Sequence, residues 1–399
     1  MPEQTQNTGP LHGIRVLDFT ALLQGPLATQ VLADLGADVV KLERAEGEWM
    51  RQWGIFAART HGETDAFLAF NRNKRSVAIN LQDPADLERV LELVDLADIV
   101  VENFRPGVMD RLGLGYEALR KRNPRVIYAA SSGYGRTGPY ASRPGQDYLV
   151  QALSGAMWLG GRRSDPPFLM APAVADQYTG LHLVVGILAA LQHRHRTGEG
   201  QRMDVDLLSC VLALQQQEIT VYLNHHNSFE RPQENLGHPG LTAPCGVYAT
   251  EDGYLLLAMT ACPKLGGILG VDWLAAYDTI EKMHAERDTV YRLLAAHFKA
   301  QTTKHWIDML SASDVWCAPV QSYADLENDP QVAHKNLLWN VPYADSGQTY
   351  RTVGSPFSFS ASPVSVRRGA PRVGQHTAEF RDRGIWQSGD EVESQGASR

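Results

Sequence analysis

Cysteine is scarce in this chain, and its thiols are widely separated. The 399 residues include Cys210, Cys245, Cys262 and Cys317, and no two of them form a CxxC pair. This spacing argues against a disulfide framework and against a zinc site built on paired cysteines. Such sparing use is typical of a reducing compartment, so we expect a cytoplasmic protein.

Excess positive charge and long apolar runs are also missing. The formal net charge is -8, which argues against nucleic acid as a partner because nucleic-acid binding generally needs a basic face. The longest apolar stretch, 180–191, is interrupted by His182 and is shorter than the roughly 20 residues that cross a bilayer. The opening residues MPEQTQNTGP lack the apolar centre of a secretory signal. We therefore expect a globular protein without a membrane partner.

The common nucleotide and hydrolase motifs do not occur. No GxGxxG directly follows the first predicted strand, and there is no GxxxxGKS loop and no GxSxG elbow. Two histidine pairs, His193 with His195 and His225 with His226, lack carboxylates at ligand spacing. We interpret them as exposed helix-end residues and predict no metal site.

The first half of the chain alternates apolar strands with helices, which predicts an α/β fold with a mostly parallel sheet. Asp83 followed by Pro84 has the form of a helix N-cap with proline at the first turn. The predicted strands are 14–19, 38–43, 76–81, 98–102 and 125–131. The predicted helices are 25–37, 85–97 and 116–121.

The second half is more helical. We predict helices at 147–158, 176–196, about 208–224, 285–300 and 304–311, a strand at 203–207, and a hairpin of strands 245–249 and 254–258. These patterns predict a large domain from 1–212, a smaller α/β domain from 213–320, and a return to the large domain in 321–399. The segment after Gly374 is interpreted as a polar tail with its last ten residues disordered.

An ordered series of short motifs runs through the chain: LHGIRVLD (11–18), LADLGADVVKLER (32–44), NRNKRS (71–76), VENFRPG (101–107), NPR (123–125), SGYGRTGP (132–139), RTGEGQ (196–201), CAPV (317–320) and GQHT (374–377). This ordered series resembles the family III CoA-transferases of the CaiB/BaiF type. That group includes formyl-CoA, carnitine and dicarboxylate CoA-transferases, with α-methylacyl-CoA racemases as relatives.

The resemblance implies a Rossmann-like large domain, a smaller inserted domain and an interlocked homodimer. It also implies acyl-CoA and a carboxylic acid as substrates, with coenzyme A as the carrier and no metal. The segment VADQYTG (174–180) matches the one that holds the family's catalytic aspartate, which places that role on Asp176. An aspartate ionises near pH ~4, so it is a nucleophile at neutral pH without a general base. Without the resemblance, Asp176 would be read as a helix cap.

Two alternatives remain open. A racemase of this group uses a histidine in a Gly-His-Asp triplet, whereas this chain has Gly145-Gln146-Asp147. Glutamine does not shuttle protons near neutral pH, so Gln146 disfavours a racemase or epimerase, and Asp147 is expected to support the site. The second alternative is a non-catalytic acyl-CoA-binding protein with the same fold.

The resemblance also assigns binding roles. Leu23, Gln24 and Gly25 correspond to the thioester pocket, whose backbone N–H groups could stabilise an oxyanion. Leu23 stands where formyl-CoA transferase has a glutamine, which argues against formyl or oxalate specificity. Gly237 and His238 fall in the family's lid segment and are predicted to contact substrate. The residues predicted to bind CoA are Arg44, Lys74, Arg75, Asn103, Phe104 and Arg111.

Overall fold

The computed structural model describes residues 9–54, 58–226 and 229–386. The strands are β1 (Arg15–Asp18), β2 (Asp38–Glu43), β3 (Arg59–Thr60), β4 (Glu63–Thr64), β5 (Lys74–Ala78), β6 (Ile99–Glu102), β7 (Ile127–Ser132), β8 (Arg202–Asp206), β9 (Gly246–Ala249), β10 (Tyr254–Leu257), β11 (Cys317–Pro319), β12 (Leu338–Tyr343) and β13 (Gln348–Val353).

The α-helices are α1 (Gln24–Asp34), α2 (Asp65–Phe70), α3 (Pro84–Leu96), α4 (Val108–Arg111), α5 (Tyr116–Arg122), α6 (Asp147–Leu153), α7 (Val174–Thr197), α8 (Leu207–Leu214), α9 (Gln216–His225), α10 (Cys262–Leu269), α11 (Ile280–Ala285), α12 (Arg287–Phe298), α13 (Thr303–Ala312), α14 (Tyr323–Leu326), α15 (Pro330–His334) and α16 (Thr377–Arg383).

A central sheet has the strand order β5-β2-β1-β6-β7-β8, and every neighbouring pair in it is parallel. The prediction of a mixed α/β fold with a mostly parallel sheet is therefore confirmed. The chain extends the sheet from β1 to one side and then, from β6, to the other. This reversal creates a switch point between β1 and β6. Ligands of open parallel sheets bind outside the carboxyl ends of the strands at such a point.

Alternate residues of the sheet strands face two apolar layers. Leu17 on β1 belongs to a buried layer that also contains Val90 of α3. Val16 belongs to the layer on the opposite face, together with Leu32 of α1 and Ile187 of α7. Because successive side chains of a strand point to opposite faces, a continuous apolar strand covered by helices on both sides is the expected result.

Helix α7 is the longest helix of the described residues and ends at Gly198, whose φ of 81° gives a left-handed C-cap. By length and composition alone it is apolar enough to cross a membrane. Leu183, Ile187 and Ala190 are nevertheless fully or almost fully buried against the sheet. A core helix of a globular protein passes the same test of length and composition.

The described residues divide into two compact units. One contains those within Met1–Val150, Pro172–Leu214 and Gln331–Arg399, and the other those within Gln151–Ala171 and Gln215–Pro330. The second unit has an antiparallel sheet of order β11-β10-β9 and a core around Tyr248 and Phe298.

The segment 151–171 was assigned to the large domain from the sequence, but it packs with the second unit. The Gln215 side chain donates to the Ser154 carbonyl at 3.3 Å. The Arg163 N–H donates to the Pro232 carbonyl at 2.7 Å. These hydrogen bonds join residues more than 60 positions apart, which sequence pattern does not reveal.

Several predicted elements have different ends. The helix predicted for 147–158 stops at Leu153, because Gly155 has a φ of 84° and a 3-10 turn follows. The helix expected after β8 is two helices, α8 and α9, with Gln215 between them. The segment after Gly374 contains α16, and Phe380 and Trp386 are buried in the apolar layer that contains Leu17 and Val90. The last ten residues lie outside the described part of the chain.

Candidate active site

The loop after β1 and the loop after β6 meet at the switch point. The Asn103 side chain accepts the Ala21 N–H at 2.9 Å and donates to the Ala21 carbonyl at 2.8 Å. This double hydrogen bond fixes the two loops relative to each other. Asn103, predicted to bind CoA, therefore lies beside the loop between β1 and α1 (residues 19–23), which we call the thioester loop. Part of its side chain is used to hold Ala21.

A solvent-open cleft with about 640 Å³ of free space lies at this switch point, and we call it the Asp176 cleft. Leu22 and Gln24 come from the β1 loop and the start of α1. The other lining residues used below are Phe104, Arg105, Arg143, Gln146 and Asp176. The topology thus brings together the nucleophile candidate, the thioester loop and Gln146, as the sequence predicts.

Asp176 is the third residue of α7 and is half-buried. Burial, and next the charge of Asp147, raise its pKa to about 7. The expectation that this carboxyl ionises near pH ~4 is therefore corrected. At neutral pH it exchanges between a proton-bearing and an anionic form, and the anion it forms is poorly solvated.

Asp147 is buried behind Asp176. Its Oδ1 accepts the N–H of Ala175, in the first turn of α7, at 3.0 Å. This hydrogen bond makes Asp147 an external cap for α7, since the N-cap residue Ala173 supplies no side-chain acceptor. Asp147, which was predicted to support the site, thus has a defined contact with the first turn of α7.

Gly180, one turn after Asp176, lets α7 approach α1. A Cβ at position 180 would lie 2.7 Å from the Gln24 carbonyl oxygen. Gly25 is equally constrained, because a Cβ there would lie 2.4 Å from the Thr20 Cβ. Gly180 thus permits close contact with the backbone of α1, and Gly25 permits close contact with the Thr20 side chain; a larger residue at either position would force these groups apart.

Gln24 begins α1 and is buried. Its Oε1 accepts the Ser131 hydroxyl at 2.8 Å. Gln24 and Asp176 both line the cleft, and the Gln24 amide also carries two N–H donors. Ser131, on β7, was missed from the sequence because its partner lies 107 residues away.

The Leu23 side chain packs away from the cleft, against the cluster of Met50, Phe67 and Leu68. Of the predicted pocket residues, Gln24 is among the described residues that line the cleft, together with Leu22, which was not predicted. The predicted role of the backbone N–H groups at the start of α1 stays a prediction.

Gln146 lines the cleft and is exposed. Its neighbour Gly145 packs against Gly133, with a Cβ at either position reaching within about 2.4 Å of the other's Cα. This contact places the 145–147 turn against the end of β7. Among the described residues that line the cleft there is no histidine.

The predicted CoA-binding cations occupy different environments. Arg44 and Arg111 are exposed. Phe104 lines the cleft, with its N–H held by the Glu102 carboxylate at 2.8 Å. Burial raises the pKa of Glu102 to about 7.

Two arginines that were not predicted as site residues, Arg105 and Arg143, also line the cleft. Arg105 was visible within the NFRPG motif.

Lys74 and Arg75 are not available for the predicted contact with CoA. Lys74 is completely buried, and its ammonium donates to Asp18 at 3.1 Å and to Asn71 at 2.8 Å. Burial lowers its pKa to about 8. Arg75 is buried and forms an ion pair with Asp38 at 2.5 Å. The structure gives both side chains a role inside the fold in place of phosphate binding.

Gly237 and His238 lie in the second unit. Gly237 has a φ of 91°. The His238 Nδ1 accepts the Gly240 N–H at 3.0 Å, and its Nε2 lies 3.5 Å from a Glu218 carboxylate oxygen. These contacts give the segment a turn of its own, and its predicted contact with substrate stays a prediction.

Known proteins match this chain over nearly its whole length. The chain is 35% identical over 395 residues to a succinate–glutarate CoA-transferase of Agrobacterium fabrum, covering 95% of this chain and 96% of that protein. It is 35% identical over 402 residues to a succinyl-CoA:mesaconate CoA-transferase of Haloarcula hispanica, covering 97% and 99%. The crystal structure of a CaiB/BaiF family protein from Brucella suis superposes with a TM-score of 0.84 at 32% identity, covering 94% of this chain and 99% of that chain.

The family model described as CoA-transferase family III matches residues 11–377. This match takes in β1 through the start of α16, including both loops of the switch point and all of α7. Since the match and the relatives cover nearly the whole chain, the protein belongs to CoA-transferase family III.

Proposed function

We propose that this CoA-transferase moves CoA between dicarboxylic acids, with Asp176 as the covalent nucleophile. The observation that carries the proposal is the position of Asp176 in the switch-point cleft, at the start of α7 and beside Gln24. A carboxylate at this position can contact a thioester bound at the carboxyl ends of the parallel strands, which is where parallel α/β folds bind their ligands.

The proposed reaction has two matched halves. The Asp176 carboxylate attacks the thioester carbonyl carbon, the C–S bond breaks, and CoA leaves as a thiolate from a mixed anhydride. The thiolate then attacks the Asp176 carbonyl carbon, which releases the donor acid as a carboxylate and leaves an aspartyl-CoA thioester. The acceptor carboxylate repeats these steps in reverse order, and Asp176 is regenerated without net proton transfer.

The environment of Asp176 suits this role. Only its anion attacks, and because burial and Asp147 disfavour that anion, the charge is poorly stabilised before the reaction and is dispersed as the anhydride forms. The Gln24 amide, held by Ser131, supplies N–H donors on the cleft side for the oxyanion of the tetrahedral intermediate.

A dicarboxylic substrate is supported by charge. Arg105 and Arg143 both contribute to the cleft walls, and guanidinium groups bind carboxylates well. Both relatives described above are named for dicarboxylic acids. The same proposal retains Arg44, Arg111, Asn103 and Phe104 as contacts for CoA, and Gly237 and His238 as lid residues.

The racemase alternative finds no support in the cleft, because Gln146 occupies the position where such enzymes place a histidine base. The non-catalytic alternative would leave an Asp176 with a raised pKa unused. Acyl transfer is the chemistry that these side chains favour.

We also propose a homodimer of the family's interlocked type, in which the second unit is the smaller inserted domain. Support for association comes from α7, where Leu181, Val185 and Leu188 are 47%, 63% and 38% exposed. Their spacing places them on one face of the helix.

A cytoplasmic location is proposed as well. It is supported by the free thiols of Cys210, Cys245, Cys262 and Cys317.

The test is intact-protein mass spectrometry after mixing the enzyme with succinyl-, glutaryl-, mesaconyl- and acetyl-CoA, with hydroxylamine as the trap. We expect a hydroxamate at Asp176 with dicarboxylic acyl-CoAs, and no label in Asp176→Asn. Labelling by acetyl-CoA alone would overturn the dicarboxylic assignment. Exchange of an α-proton without any label would overturn the transferase mechanism.

A further inference from the structure

The turn before α1 adopts an unfavourable conformation at the edge of the Asp176 cleft. Leu22 has a φ of 70° and lines the cleft. A side chain larger than glycine is disfavoured there, because its Cβ approaches the backbone too closely. Such a conformation persists only where surrounding contacts hold it.

Those contacts come from behind the turn. The Leu22 N–H donates to the Glu48 Oε2 at 2.7 Å. The Lys41 ammonium donates to the Thr20 carbonyl at 2.7 Å. Asn103 adds its two hydrogen bonds to Ala21. The backbone of each of the three turn residues, 20–22, is therefore hydrogen-bonded to a side chain from another part of the chain.

Glu48 is itself fixed. It is buried, and its other oxygen, Oε1, lies 3.0 Å from the Lys41 ammonium. Its own N–H donates to Glu43 at 3.0 Å. Burial opposes the charge of Lys41, but Glu48 and Asp18 outweigh that effect and raise its pKa. Glu48 is therefore held at one oxygen by Lys41 while its other oxygen accepts the Leu22 N–H.

The position of α1 depends on this turn. The helix begins at Gln24 with no side-chain cap on its first N–H groups, so their direction follows from the backbone of Leu22 and Leu23. A change in φ at Leu22 would move Gln24 and these N–H groups relative to Asp176.

We propose that Glu48 is a positioning residue for acyl transfer: by holding the Leu22 N–H it keeps the thioester loop and Gln24 aligned with Asp176. The inference rests on the proposed function of Asp176. It assigns no contact with substrate to Glu48, which acts through Leu22. Its loss is therefore expected to slow the covalent step while CoA binding is preserved.

The experiment compares wild type, Glu48→Ala and Glu48→Gln. Single-turnover mixing with the acyl-CoA that labels wild type gives the rate of Asp176 adduct formation by mass, and calorimetry gives the Kd for CoA. We expect Glu48→Ala to slow the adduct by about 100-fold, as misplacement of reacting groups does, with Kd changed less than about threefold. Glu48→Gln keeps an acceptor for Leu22 and should lose about tenfold.

Asp34→Asn is the matched control, because Asp34 is a buried carboxylate in an ion pair with Arg72 at 2.6 Å at the far end of α1. We expect it to lower the Tm as Glu48→Gln does while the adduct rate stays within about twofold of wild type. Wild-type rates in both Glu48 variants, or an equal loss in Asp34→Asn, would overturn the inference. If wild type forms no adduct with any acyl-CoA, the proposed function itself has failed.

Should Glu48→Ala fold poorly, Leu22→Gly separates stability from alignment. Glycine adopts a φ of 70° without strain, so Leu22→Gly is expected to recover the part of the Tm loss of Glu48→Ala that comes from backbone strain. The part that comes from the unpaired Lys41 remains, and the adduct rate, measured against Leu22→Gly alone, is not recovered. Recovery of the rate together with the Tm would show that Glu48 acts only on folding.

Discussion

Asp147 acts on Asp176 from the first turn of α7. The Asp147 carboxylate caps the first turn of α7 by accepting the Ala175 N–H at 3.0 Å. From there its negative charge, added to the effect of burial, raises the pKa of Asp176 to about 7. The residue that anchors the helix therefore also sets the pH at which the nucleophile ionises.

The first prediction is a pH dependence of the covalent step. Because only the anion of Asp176 attacks, the single-turnover rate of adduct formation should rise with pH and level off above about 7. Rapid mixing with acyl-CoA between pH 5 and 9, followed by quenching and mass spectrometry, measures the rate of adduct formation. A flat profile over this range would show that Asp176 is ionised throughout.

The second prediction assigns that profile to the carboxylate pair. Asp147→Asn keeps an oxygen to cap Ala175 but removes the charge, so the pKa of Asp176 should fall and the profile should move to lower pH. Burial, the larger cause, remains, so the pKa should stay above the ordinary value of 3.8. Glu102 also has a pKa near 7 and would not follow this substitution.

Asp83→Asn is the control for that experiment. Asp83 caps α3 through the Ala85 N–H at 2.9 Å, and asparagine caps equally well. Its pH profile should coincide with that of wild type. If the pH profile of Asp147→Asn is unshifted, the rise of the adduct rate with pH reports the ionisation of another group, such as Glu102.

The third prediction concerns stability. The unfolded carboxyl has a pKa near 3.8, and the folded one about 7, so between these values the folded state binds more protons and stability falls as pH rises. Asp176→Asn removes this loss. At pH 8 the variant should be more stable than wild type by about 1–2 kcal/mol, a value reduced for solvent screening of a half-buried group.

Thermal unfolding at pH 8 and pH 4 checks the sign. The gain in Tm of Asp176→Asn should be present at pH 8 and nearly absent at pH 4, where the wild-type carboxyl is protonated when folded and partly so when unfolded. A gain of the same size at both pH values would point to packing or hydrogen bonding in place of the buried charge.

The parts of the fold that sequence predicts well are those set by local pattern. β2 was predicted at 38–43 and is found at Asp38–Glu43, because a short apolar run between polar residues has one register in a buried sheet. The N-cap at Asp83 with Pro84 after it was also found as predicted. α6 was predicted too long, since Gly155 leaves the helical conformation; a glycine at this position is itself a helix stop signal, which the prediction did not use.

The site was less accessible to sequence reasoning, because its contacts join distant positions. Lys74 has the charge to bind a phosphate, yet its partner Asp18 lies 56 residues earlier, on β1, and β2 separates that strand from β5 in the sheet. Ser131 meets Gln24 only because β7 stands beside the switch point. Motif resemblance located Asp176, whereas the side chains that orient it required the strand order.

The fourth prediction tests the hydrogen bond between Ser131 and Gln24. Ser131→Ala frees the amide of Gln24 to rotate, so the adduct rate should fall by about tenfold with little change in the Kd for CoA. The double-mutant cycle with Gln24→Ala is decisive. In that background Ser131→Ala should have almost no further effect, and additive losses would show that the two residues act independently.

The fifth prediction concerns the close approach of α7 to α1. Gly180→Ala would place a Cβ 2.7 Å from the Gln24 carbonyl oxygen, so the helices must separate and Asp176 must move away from the thioester loop. Although alanine favours a helix over glycine by about 1 kcal/mol, we expect Gly180→Ala to lower the Tm and slow adduct formation by at least about tenfold.

Gly186→Ala on the same helix provides the comparison. Its Cβ would meet only the Met203 side chain, at 2.1 Å from the terminal methyl carbon, and a flexible methionine rotates away more easily than backbone moves. We expect this variant to keep its adduct rate and to lose little stability, since the helix propensity of alanine offsets the repacking. Equal effects of the two substitutions on the adduct rate would show that the α1–α7 contact does not position Asp176.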